Sequence, residues 1–141
     1  MRTEATKENI GLLSHKDKVR FALFCTKQAK QTVPEAIACV RVVERWLDGK
    51  ATTDECERVA NAAYAASVTY ANANAARAAA HAANAASNVA SNATAYAAYT
   101  AAYIAYVATA AADAAIKQAQ EAYLYELIHI NTIVEQVLLN A

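Results

Sequence analysis

From Thr53 to Ala141 the chain contains neither glycine nor proline, and much of that run is alanine. Alanine has the highest helix propensity of any residue and is depleted in strands, so the run has no stable conformation to adopt except helix. Unbroken from 53 to 139, such a helix would be roughly 130 Å long at 1.5 Å per residue, far more than a chain of 141 residues can cover. It must therefore fold back on itself or be covered by other copies. The same bias holds throughout: 39 alanines against two glycines and one proline predict an all-α chain.

The best candidate for the break is Ala86–Thr94, where Ser87, Asn88, Ser91, Asn92 and Thr94 crowd together and compete for backbone hydrogen bonds. A weaker one lies at His129–Thr132. These breaks predict long helices over about 53–89 and 93–129, antiparallel and packed on shorter N-terminal ones. The resulting expectation is a single helical domain over 1–141: an N-terminal helix pair in 1–50, alanine-rich helices in 51–115 and an apolar C-terminal helix in 116–141.

The first half carries ordinary helix punctuation. Ser14 followed by Asp17 marks a start, and Val19, Ala22, Leu23 and Thr26, flanked by Phe21, Phe24 and Cys25, form a wide apolar face reaching about Lys30. Thr32-Val33-Pro34-Glu35 is a capping box with proline in the first turn, and Ile37, Val40, Val43 and Trp46/Leu47 follow at helical spacing. Gly49 is placed to end that helix in a left-handed conformation, and Thr52 with Glu55 opens the next.

Charge narrows the function classes. Thirteen basic and thirteen acidic side chains cancel, which argues against a polymeric nucleic-acid partner. The three cysteines, Cys25, Cys39 and Cys56, lack the short pairing of a zinc site or disulfide scaffold and suit small buried residues in a reducing compartment. The charged N-terminus has no signal-peptide core. Between Val59 and Ile116 the six asparagines would each need a partner in hydrocarbon. The expectation is a soluble, cytoplasmic chain with no membrane association, no metal and no cofactor.

Within the alanine tract the larger residues keep a period. Asn74, Arg77, His81, Asn84 and Asn88 are spaced three, four, three and four; Tyr96, Tyr99, Tyr103 and Tyr106 are spaced three, four and three. Each set lies on one helix face. One reading is packing: alanine faces draw helix axes together, and larger side chains fill the seam where the helices diverge. The other is a groove in which Arg77 anchors an anion, His81 and the asparagines assist, and the tyrosines supply contact area. Asp113, the other charge of the tract, is the structural rival for Arg77. Catalysis has little to build on, because Asp113 has no second carboxylate nearby and nothing orients Cys56 toward His81. The expectation is a non-enzyme.

The run Arg20-Phe-Ala-Leu-Phe-Cys-Thr-Lys-Gln28, the turn Trp46-Leu-Asp-Gly-Lys-Ala-Thr52 and the tract from Ala60 resemble the alanine-rich immunity proteins of bacteria and phages. The resemblance covers about residues 19–115. It implies a small protein that neutralises a target by stoichiometric binding, the target being a toxin or a host-defence protein. A second reading is an oligomeric sponge that holds a small anionic, nucleotide-like signal in pockets between subunits. A third is a purely structural helical protein. In the C-terminal segment, Ile116, Tyr123, Leu127, Ile130, Val134 and Val137 recur at helical spacing, which predicts a homo-oligomer.

Overall fold

The computed structural model describes residues 1–28, 33–69, 74–92 and 114–140. All secondary structure among these residues is helical: α1 (Lys7–Gly11), α2 (His15–Gln28), α3 (Pro34–Leu47), α4 (Thr53–Thr69), α5 (Asn74–Asn92) and α6 (Ala114–Leu139).

The punctuation of the first half does what its chemistry requires. Ser14 Oγ accepts from the Asp17 amide at 3.2 Å and opens α2. At the end of α3 the Gly49 amide donates to the Trp46 carbonyl (3.0 Å) and the Lys50 amide to that of Arg45 (2.7 Å). With Gly49 at φ 73° this is a Schellman stop. Thr52 and Glu55 cap α4 reciprocally: the Glu55 amide donates to Thr52 Oγ1 at 3.1 Å, and the Thr52 amide donates to Glu55 Oε1 at 3.3 Å. α3 starts at Pro34 with Val33 in the cap position, one residue later than a box on Thr32 requires; Thr32 itself lies outside the described residues. A third early helix, α1, was not expected. Thr6 Oγ1 caps it by accepting from the Asn9 amide, and burial of Ile10 and Leu13 holds the short turn in place.

The long-helix expectation needs correcting. The chain does not continue as one helix over 53–89, because α4 ends at Thr69 and α5 begins at Asn74. Asn84 meets Ala60, and Tyr64 meets His81. The numbers rise on one helix as they fall on the other, so α4 and α5 are antiparallel and the chain reverses between 69 and 74. Of the expected break at Ala86–Thr94, α5 runs on through Ser87 and Asn88 as far as Asn92, and residues 93 and 94 lie outside the described residues. Within the helix Ser87 pairs with the Cys39 thiol, and Asn88 Nδ2 donates to Asn84 Oδ1. The second break, at His129–Thr132, is not formed either. α6 runs through it to Leu139, since isolated Asn and Thr cost a helix only tenths of a kcal/mol (~0.5) without Gly or Pro. Of the helix expected over 93–129, residues 93–113 lie outside the described residues.

α2 packs on α3, α5 and α6, while α3 packs across both α4 and α5. The main core gathers Phe21, Val19 and Ile10 with Val89 of α5 and Leu124 of α6. A second cluster joins Ala36 and Cys39 of α3 to Ala63 and Ala66 of α4 and Ala80 and Ala83 of α5. The innermost line of α3 is therefore Ala36, Cys39 and Val43. Of the expected stripe, only Val43 is fully buried, and Ile37, Val40, Trp46 and Leu47 are half-buried flanks. Close approach to two alanine-rich helices admits only small side chains at the centre.

Candidate functional site

The polar row of α5 divides between the seam and the surface. Asn84 is half-buried and its Nδ2 donates to the Ala60 carbonyl of α4 at 2.7 Å, while its Oδ1 accepts from Asn88 at 3.3 Å. One turn earlier, the half-buried His81 ring meets Tyr64 edge-on, with centroids 6.5 Å apart and planes at 74°. Tyr64 itself is 56% exposed. The structure thus brings His81, Asn84 and Asn88 together along one edge of the α4–α5 pair. It adds Tyr64, which sequence reasoning missed. Had the reversal at 69–74 been read from the Thr69, Asn72 and Asn74 cluster, antiparallel pairing would have set Tyr64 opposite His81.

Asn74 and Arg77 belong to the same row by register, Arg77 one turn before His81; their side chains lie outside what the structure describes. Tyr96, Tyr99, Tyr103 and Tyr106 lie outside the described residues, as does Asp113, and with it the Arg77–Asp113 pairing.

The thiols are not nucleophiles in this setting. Burial pushes Cys25 and Cys56 up, and it raises Cys39 from 9.0 to about 11 against the opposing hydrogen bond with Ser87. All three are free and buried, and a protonated, enclosed thiol is inert at neutral pH. Cys56 sits two helical turns before Tyr64, the residue that His81 meets, so the imagined Cys56–His81 pair is not assembled.

His15 is a fastener: its Nε2 lies 2.8 Å from the Val89 carbonyl and its ring 5.0 Å from that of Trp46. This ties the start of α2 to the ends of α3 and α5. An open groove of about 170 Å³ lies between α2 and α6, lined by Arg20, Leu23, Phe24, Lys27 and Tyr123. Its floor is the Phe24–Tyr123 stack at 4.5 Å. Both rim cations are engaged, Arg20 with Asp17 at 2.7 Å and Lys27 with Glu44 at 3.4 Å.

Among the described residues, no three His, Cys, Asp or Glu side chains are grouped to hold a metal ion, and no helix is long and apolar enough to cross a membrane. No family model, no curated protein and no solved structure matches the chain.

Proposed function

We propose that the protein is a non-enzymatic, stoichiometric binder that neutralises a protein target, as the alanine-rich immunity proteins it resembles do. The observation that carries this reading is Tyr64, an exposed aromatic ring held edge-on by His81 beside an edge of hydrogen-bonded asparagines. Tyrosine is enriched among the few side chains that dominate protein interfaces, and with only two side-chain torsions it offers its contact area at low entropy cost. The thin alanine surface around it lets a partner approach closely. In this reading Arg77 adds the charge at the same edge, and Tyr96, Tyr99, Tyr103 and Tyr106 extend the contact area. The antiparallel pair of α4 and α5 is the body that presents Tyr64.

Native mass spectrometry of the protein isolated from the cells that make it tests the proposal. The expected species contains the chain and a second polypeptide in fixed ratio. Tyr64→Ala and Arg77→Ala should each lose that polypeptide while keeping the wild-type helical signal by circular dichroism. A retained nucleotide-like anion with no second polypeptide would favour the sponge and overturn the reading.

A further inference from the structure

Among the described residues, the C-terminal half of α6 has no packing partner. Gln120, Leu124 and Leu127 are buried in the first half of this helix, where Gln28 of α2 meets Ile116 and Gln120, and Phe24 stacks on Tyr123. α2 therefore runs antiparallel to α6 and covers it to about Leu127. Beyond that point Ile130, Ile133, Val134, Val137, Leu138 and Leu139 are 50–84% exposed.

The two halves belong to one seam. Ile116, Gln120, Tyr123, Leu127, Ile130, Val134, Val137 and Ala141 alternate steps of four and three without interruption, the repeat of helices that interlock along their length. One half of the seam already has its antiparallel helix. The other half presents the same pattern, and no described residue covers it.

We propose that residues 130–139 of α6 dock antiparallel against the same segment of a second copy, forming a two-fold dimer. Three observations point to a second copy. The first is area: Ile130, Ile133, Val134, Val137 and Leu138 share one face of the helix and are 50–71% exposed, which makes about 500 Å² of apolar surface, at the upper end of what a monomer ordinarily leaves bare and more than half of the ~800 Å² each partner gives a standard stable interface. The second is charge: from Leu127 onward the only acidic or basic residue apart from His129 is Glu135, one position past Val134 and off the four-three seam. Two identical strips therefore meet with no like-charge repulsion, whereas a charge-steered foreign partner would find nothing to read. The third is space. A parallel partner would need its own upstream α6 where α2 already lies, because both halves use one stripe. An antiparallel partner leads away past the C-terminal end and takes up the seam where α2 leaves it. The layers then set Val134 of one copy against Val137 of the other.

This surface is separate from the α4–α5 edge, so the two proposals can fail independently. Sedimentation equilibrium of the full chain over a wide concentration range should show twice the 15.0 kDa chain mass. Val134→Glu and Val137→Lys, each alone, should weaken self-association by about 100-fold or more by placing an unpaired charge in the seam. Both should keep the wild-type circular dichroism spectrum. An equimolar mixture of the two variants should restore the dimer, because antiparallel pairing sets the new carboxylate against the new ammonium. Parallel pairing would leave each charge facing valine. The proposal is overturned by a monomeric wild type, by a Val134→Glu chain that still dimerises, by a mixture that stays monomeric, or by loss of helical signal in either variant.

Discussion

Replacing Asn84 by Asp changes one NH₂ into an oxygen and leaves shape untouched, so it isolates what the amide does in the α4–α5 seam. In the native chain Asn84 Nδ2 donates to the Ala60 carbonyl at 2.7 Å. In Asn84→Asp that contact becomes acceptor against acceptor. A hydrogen bond of this kind is worth about 1 kcal/mol net, and leaving its partner opposed costs about 1 kcal/mol more at a half-buried site that water can partly reach. The bond from Asn88 Nδ2 to Asn84 Oδ1 survives and offsets part of the loss. The expected deficit is about 2 kcal/mol at neutral pH, a fall in Tm of about 8 °C for a chain of this size. Asn84→Ala, which removes the bond without the repulsion, should cost about half as much. The carboxyl also supplies a sign check. Its charged form is disfavoured in the fold, so the deficit against wild type is absent at low pH, where the protonated acid can donate to Ala60. It grows as pH rises from about 4. Thermal melts of wild type and variant at pH 3 and pH 7 measure both quantities. A variant as stable as wild type at pH 7, or an equal deficit at both pH values, would refute the seam assignment and leave Asn84 free for a target.

Two further outcomes test the scaffold. Gly49→Ala should lose about 1–2 kcal/mol in chemical unfolding, the cost of holding an L side chain in the left-handed region. An added Cβ meets nothing within 4 Å, so a larger loss would mean that the backbone is not what pays. Stability should also fall as pH rises from about 9 to 11. The unfolded chain releases the Cys39 proton near 9.0 while the fold retains it to about 11, a difference of about 3 kcal/mol. Cys39→Ala should reduce that slope in urea titrations, leaving the part due to buried Cys25 and Cys56, and an unchanged slope would contradict the burial of Cys39.

Local signals in the sequence proved legible where a single residue type performs a single local task. Ser14, Gly49, Thr52 and Glu55 each act on backbone groups within five residues, and all four act as their chemistry predicts. The reversal of the alanine run was not legible, because it depends on tertiary partners. Ser87 and Asn88 look like helix enders, yet α5 runs through both, Ser87 paired with Cys39 of α3 and Asn88 with Asn84. Conversely, Thr69, Asn72 and Asn74 form a sparser polar cluster than the one at 87–94, yet the chain reverses there. Propensity differences among Ala, Asn and Ser are tenths of a kcal/mol (~0.5) per residue, too small to outweigh the packing of a helix pair. The buried line of α3 was hidden for a related reason. Hydrophobicity points to Ile37 and Val40, but closeness to two alanine helices selects Ala36 and Cys39.

That same closeness explains why the α5 row is divided. Where α4 and α5 approach, the seam is built on Ala63, Ala66, Ala80 and Ala83, and the larger Asn84 and Tyr64 stand at its edge. At the edge a side chain either ties the helices or faces outward. Asn84 reaches the Ala60 carbonyl and becomes a tie. Tyr64 is too long to turn in; its ring lies against His81 with more than half its surface exposed. The row is therefore neither a seam nor a binding face along its whole length. Substitutions at Asn84 should therefore act on stability, whereas those at Tyr64, one helical turn away along the edge and mostly exposed, should largely spare it.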